Sequence, residues 1–227
     1  MSYSSNPINQ SFDFTGTDYD TKAKCNAAKI WFNDDVDCLF PTSLGIYTAF
    51  GGTWAYTADT GWLSSGQGDD QIAGFIIKLE RGDWQADLYL DFEPAADGDE
   101  VAIILGGLTP SNHLGAFARM LDINAAASEL VCILDTNDGD DSYTNQYVGA
   151  ALAGTGNRIY KFKSINSVLS VYDDLDDSWH EYEGHQVAGL SYSYSHVFVG
   201  VYKYTEINLA PVYLQKLDIT YLANSEI

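Results

Sequence analysis

The sequence predicts an all-β protein, a two-sheet antiparallel jelly-roll sandwich with a short N-terminal helix and arm. Three observations carry this. From Gly45 onward the chain is a succession of short runs rich in β-branched and aromatic residues, punctuated by Gly, Asp, Asn and Ser. Several runs alternate apolar and polar residues, as strands with one buried and one wet face do. No helical pattern recurs between the runs, so the rhythm of a parallel α/β sheet is missing.

The elements follow in order. Residues 1–17 are polar and carry the alternating stretch Phe12-Asp13-Phe14. A helix is expected over 18–32: Asp18 can cap it, Ala and Lys fill it, and Ala27, Ile30 and Trp31 lie near one face. It stops at Asn33-Asp34-Asp35. Residues 1–45 thus read as an arm and short helix, and 46–227 as the jelly-roll domain. Strands are expected at 46–50, 54–57, 73–79, 86–92, 101–105, 115–123 and 130–135. Further strands follow at 158–164, 168–172, 180–182, 187–194, 197–202 and 212–221. The stretch Ala86-Asp87-Leu88-Tyr89-Leu90-Asp91-Phe92 alternates cleanly. By contrast, Ala73-Gly74-Phe75-Ile76-Ile77 is apolar throughout and suits a central strand. No linker divides the chain and no internal repeat is visible.

Composition narrows the function. In 227 residues, Lys+Arg 11 stand against Asp+Glu 32, a formal net charge of −21. A field this negative repels nucleic acid and disfavours an anionic membrane surface. A hydrophobic fraction of 46% excludes disorder. No apolar run approaches a bilayer span. The acid is 24 Asp against 8 Glu, because turns favour Asp and the helices that favour Glu are few. The first residues, Met1-Ser2-Tyr3-Ser4-Ser5-Asn6-Pro7, lack a basic and then apolar leader, so no secretory signal is expected. Cys25, Cys38 and Cys132 are too few and too widely spaced for a disulfide framework. Reduced, small apolar side chains are expected, although a Cys25–Cys38 bridge is geometrically conceivable.

Residues 86–183 resemble the concanavalin A-like, laminin-G-like jelly roll in the order of their parts. A strand at 86–92 returns as Val101-Ala102-Ile103-Ile104-Leu105-Gly106-Gly107, followed by the runs at 115–122 and 129–135. After an acidic excursion come Asn157-Arg158-Ile159-Tyr160-Lys161-Phe162 and Val168-Leu169-Ser170-Val171-Tyr172-Asp173-Asp174. Asp174 stands where that family has a turn glycine, and its tryptophan before the penultimate strand is missing. The run Val212-Tyr213-Leu214-Gln215-Lys216-Leu217-Asp218-Ile219-Thr220-Tyr221 suits the edge strand that closes this fold. The resemblance covers about half the chain and implies the fold; lectins, hydrolases, lyases and inert modules share it.

Catalytic templates fit poorly. Jelly-roll glucanases carry Glu-x-Asp-x-x-Glu along one strand, and no Glu-x-Asp occurs here. Asp91 and Glu93 share a strand face, but Pro94 ends the strand. Phe198-Val199-Gly200-Val201-Tyr202 resembles a strand of the jelly-roll alginate lyases, yet Val199 replaces their lysine. His180-Glu181-Tyr182-Glu183-Gly184-His185 misses the zinc-protease spacing by one residue, and Gly184 weakens any helix there. A solvated hairpin is the better reading. The enzyme expectation is therefore negative.

Two kinds of binding residue remain. The turn Asp135-Thr136-Asn137-Asp138-Gly139-Asp140-Asp141 concentrates oxygen donors, so Asp135, Asn137, Asp138 and Asp140 are the candidate calcium ligands. Similar clusters occur at 97–100 and 173–177, and solvated Asp turns are the competing explanation for all three. Trp54, Tyr56, Trp62 and Trp84 lie in or beside turn-rich segments, where exposed rings could stack on sugars, and Tyr202 belongs with Tyr192, Tyr194 and Tyr204 to an expected tyrosine-rich sheet face. Core packing competes with that role. By elimination and resemblance, a structural protein of a bacteriophage virion is expected: a capsid decoration, spike or fibre module, made in the host cytoplasm. Its expected partners are other virion proteins, further copies of itself and a surface glycan. The alternative is a glycan-binding, lectin-like module, with a polysaccharide hydrolase or lyase behind it.

Overall fold

The computed structural model describes residues 9–35, 50–80, 83–92, 99–108, 114–122, 129–137, 143–148, 152–153, 156–165, 168–174, 177–181, 195–203, 208–209 and 211–222. The elements are β1 (Asn9–Asp13), α1 (Lys22–Ala27), β2 (Ile30–Phe32), β3 (Thr53–Thr57), β4 (Gly61–Ser65) and β5 (Gln71–Lys78). Next come β6 (Trp84–Phe92), β7 (Asp99–Leu108), β8 (Leu114–Asp122), β9 (Glu129–Asn137), β10 (Tyr143–Val148) and β11 (Leu152–Ala153). The last are β12 (Gly156–Ile165), β13 (Val168–Asp173), β14 (Ser178–Glu181), β15 (His196–Lys203), β16 (Asn208–Leu209) and β17 (Val212–Tyr221).

They form two sheets, as the sequence predicts. The first runs β14-β13-β12-β6-β17-β4-β3, with β1 also paired to β17; the second runs β10-β9-β8-β7-β15-β5-β2. Named pairings are antiparallel except for β16 beside β7. Alternation on β6 does what the pattern demands. Trp84, Ala86, Leu88 and Leu90 enter the core between the sheets, while Gln85, Asp87, Tyr89 and Asp91 face out.

On β17 the alternation changes phase. Val212 and Leu214 point inward, and so do Leu217, Ile219 and Tyr221, because a bulge between Leu214 and Lys216 inserts one residue. The Gln215 carbonyl at the bulge accepts from the Phe14 backbone N–H at 2.8 Å. This phase change puts Lys216, Asp218 and Thr220 on the outer face beside Tyr89, Asp87 and Gln85.

The second sheet hides both its faces around β5 and β15. Ala73, Phe75, Ile77, Val197, Val199 and Val201 join the main core. Ile72, Ile76, Ile104 and Phe198 form a separate buried cluster on the opposite side, with Trp31, Phe50 and Tyr202 against it. Gly74 and Gly200 face each other across these strands, and a Cβ on either would lie 2.7–2.8 Å from the Phe198 ring. The two glycines make the floor on which that ring lies.

The N-terminal segment differs from the expectation. Instead of an arm, β1 pairs with β17 and β2 pairs with β5. Phe12, Phe14, Cys25, Ile30 and Phe32 lie in the core. The boundary expected at residue 45 does not separate residues 9–35 from the sandwich. The helix is shorter than its predicted span, 22–27 against 18–32, and Thr21, not Asp18, caps it by accepting from the Lys24 N–H. Lys29 adopts a left-handed φ of 62° and ends the turn. Ile30-Trp31-Phe32 then pairs with Ile77–Phe75 in register, which buries two apolar side chains and recruits them to a sheet.

Candidate functional site

Three of the predicted sugar-stacking residues are core residues. Trp54 and Trp62 are 4% and 3% exposed and pack around Phe32, with ring centroids 5.7 and 4.7 Å from it. Their indole N–H groups donate inward, to Asn33 Oδ1 and the Tyr19 carbonyl, each at 3.0 Å. Trp84 is 0% exposed and packs 5.7 Å from the Phe162 ring. No sugar reaches any of the three. Tyr202 is half-buried: its ring rests on the second apolar cluster and its hydroxyl donates to Asp70 Oδ1 at 2.8 Å.

The predicted calcium turn falls largely outside the described residues. Asp135 and Asn137 lie on β9, whose backbone alone is described, and Asp138 and Asp140 are outside. Among the described residues no three His, Cys, Asp or Glu side chains are grouped to hold a metal. His180 and Glu181 are on strand β14, so that stretch is not a protease helix. His185 lies outside the described residues.

A different surface gathers the accessible chemistry: the outer face of the first sheet. Strand register aligns it in rows. Lys161, Asp87, Asp218 and Ser11 stand side by side across β12, β6, β17 and β1. One step along come Ile159, Tyr89, Lys216 and Asp13, and on the other side Lys163, Gln85 and Thr220. Tyr172 of β13 and Trp179 of β14 continue the surface, opposite one another in register with ring centroids 5.4 Å apart. Among the described residues, the corresponding face of the second sheet is closed at Ile72, Ile76, Ile104 and Phe198.

Three rings on this face carry an ammonium. Lys163 Nζ lies 4.0 Å from the Trp179 centroid, Lys161 Nζ 4.4 Å from Tyr172, and Lys216 Nζ 4.8 Å from Tyr89. Between the rings the carboxylates sit in contrasting surroundings. Asp218 accepts from Ser11 Oγ at 2.6 Å and pairs with Lys216 Nζ at 2.7 Å. Asp87 accepts from Gln85 Nε2 at 2.7 Å. Burial pushes the Asp87 carboxyl above the usual carboxylate range and nearby Asp218 adds to this, against the Gln85 hydrogen bond and the two lysines. The Tyr89 phenol is also raised, by burial first and then by Asp218. Its hydrogen bond with Asp218 raises the Lys216 ammonium. Next to Tyr172, whose hydroxyl donates to Asp177, burial raises Asp174 as well.

Rings, ammonium donors and carboxylate acceptors therefore alternate over five strands. In a chain of net charge −21, Lys161, Lys163 and Lys216 stand among Asp13, Asp87, Asp91 and Asp218, so positive and negative groups are interspersed on this face. Such a surface suits a neutral, hydroxyl-rich ligand, whose C–H faces stack on rings while its hydroxyls both donate and accept. Sequence reasoning missed Trp179, Lys161 and Lys163. The alternation Tyr160-Lys161-Phe162-Lys163-Ser164 marks the lysines as outward, but their aromatic partners come from other strands.

No family model matches the chain, and no curated protein matches it in sequence. Among solved structures, it is similar to the CBM2 module of the evolved Dit of Lactobacillus casei BL23 phage J-1, with a TM-score of 0.67 at 10% identity. That likeness covers 97% of this chain and 99% of the module. It is also similar to the apo Crh5 transglycosylase, with a TM-score of 0.57 at 10% identity over 95% of this chain and 85% of that one. The exoplasmic/lumenal domain of VIP36, in a Ca2+/Man3GlcNAc-bound form, matches with a TM-score of 0.50 at 11% identity, over 78% and 84% of the two chains. At these identities the likeness is one of fold, and the fold is the two-sheet β-sandwich that carbohydrate-binding modules, glycan-processing enzymes and lectin-type domains share.

Proposed function

We propose that this chain is a carbohydrate-binding β-sandwich of a bacteriophage particle, holding a neutral surface glycan on the outer face of its first sheet. The observation that carries this reading is the row of Trp179, Tyr172 and Tyr89 rings interleaved with Lys161, Asp87 and Asp218. The whole-length likeness to a module of a phage Dit supports a virion setting. There it would act as a decoration, spike or fibre element alongside copies of itself. The test is electrophoresis in native gels containing soluble galactan, β-glucan or mannan, with and without calcium. Retardation by at least one of them, lost in Trp179→Ala and Tyr172→Ala, is the expected result.

One observation favours a second reading, cleavage of the bound chain. Asp87 and Asp218 face each other directly in register, which puts their Cβ atoms about 5 Å apart. Retaining glycosidases likewise hold two carboxyl groups close together across the scissile bond, and Asp87 is held toward its protonated form. Release of reducing ends from the same polysaccharides, abolished in both Asp87→Asn and Asp218→Asn, would establish it.

A further inference from the structure

The β12–β14 end of this face holds a buried group without a partner. Ser170 is 0% exposed, and its Oγ makes no hydrogen bond. Val171 beside it points into the core, so Ser170 faces outward, as Tyr172 does. Across the ladder Ser170 stands opposite Lys163 of β12. Lys163 reaches diagonally over β13 to the Trp179 ring on β14, which stands opposite Tyr172. The stem of this lysine therefore crosses the stretch of β13 that holds Ser170, which accounts for a hydroxyl buried on an otherwise half-exposed face.

We propose that Lys163 is a displaceable cover over a pyranose subsite formed by Trp179 and Ser170, an assignment that rests on the glycan-binding reading above. In the unliganded protein the ammonium occupies the ring face and the methylene stem seals the hydroxyl. A neutral pyranose takes both places. Its C–H face stacks on Trp179, and one of its hydroxyls supplies Ser170 Oγ with the partner it lacks. On leaving the ring face the ammonium regains its hydration, which offsets part of the lost cation–ring contact. Arg158, Lys161 and Lys163 stand among Asp87, Asp173, Asp174 and Asp177 around the subsite, so no net positive field recruits an anionic sugar here.

Two measurements test the cover. The first is acrylamide quenching of the unliganded protein in a Trp31→Phe background. Trp54, Trp62 and Trp84 are buried, so the quenchable indole there is Trp179. Lys163→Ala is expected to raise its quenching; unchanged quenching overturns the cover. The second is retardation by galactan, β-glucan and mannan in native gels. Lys163→Ala is expected to bind about two- to five-fold more tightly, the worth of an exposed cation–π contact. Adding Ser170→Ala should cancel that gain. Loss of retardation in Lys163→Ala, with the wild type still retarded, overturns the proposal and leaves glycan binding standing. A wild-type protein retarded by none of the three refutes glycan binding and the subsite with it, whatever the quenching shows.

Discussion

Asp87 on β6 and Asp218 on β17 stand directly opposite each other on the outer face, yet only Asp218 is bound by both a serine hydroxyl and a lysine. Burial shifts the Asp87 carboxyl upward. The sign of its pH effect follows. Between its ordinary value near 3.8 and the raised value, folded Asp87 keeps a proton that the unfolded chain has lost. Stability from this group therefore falls as pH rises through that window and stays lower at neutral pH. Asp87→Asn should stabilise the protein at pH 7 and have little effect below pH 3, in urea titrations at the two pH values. A destabilised Asn variant at pH 7 would contradict this.

The Phe198 ring lies against the glycine pair of β5 and β15, and that pair tolerates no side chain. Gly200→Ala would bring a methyl group to 2.8 Å from the ring and from Ile72 Cδ1. Overpacking of this kind costs about 1–3 kcal/mol. The urea midpoint of Gly200→Ala should fall with an unchanged slope. An unaltered midpoint would show that the cluster around Phe198 is loosely packed.

Cys25 is a free thiol buried in the main core, and burial pushes its pKa up to about 12. A thiolate is the reactive form, so Cys25 should resist a thiol reagent such as DTNB at pH 8 and react only after denaturation. Mass spectrometry of the labelled peptide reads this directly. Rapid labelling of Cys25 in the native protein would contradict the burial of α1 against the sandwich.

Much of the fold was legible because period-two alternation is local. On β6 and β17 the inward residues can be read from the chain itself, and the antiparallel sandwich follows. Residues 30–32 were misread because three apolar residues after a helix fit either period; pairing with β5 decides between them. The site was harder to read. Aromatic residues near turns look exposed, yet Trp54 and Trp62 point inward from β3 and β4 to fill the gap around Phe32. Lys163 and Trp179 meet across β13, a relation that depends on strand order and on the β12–β13–β14 register. Strand order is a global property, so local spacing could not reveal it.

The contrast between buried and surface tryptophans tests the account most directly. Trp62→Ala should cost about 3–5 kcal/mol through the cavity it leaves, visible as a large drop in the urea midpoint. Trp179→Ala should keep the wild-type midpoint within about 1 kcal/mol and lose retardation in the native polysaccharide gel. A Trp179→Ala protein that is folded and still retarded like the wild type would contradict the outer face of the first sheet as the glycan-binding surface.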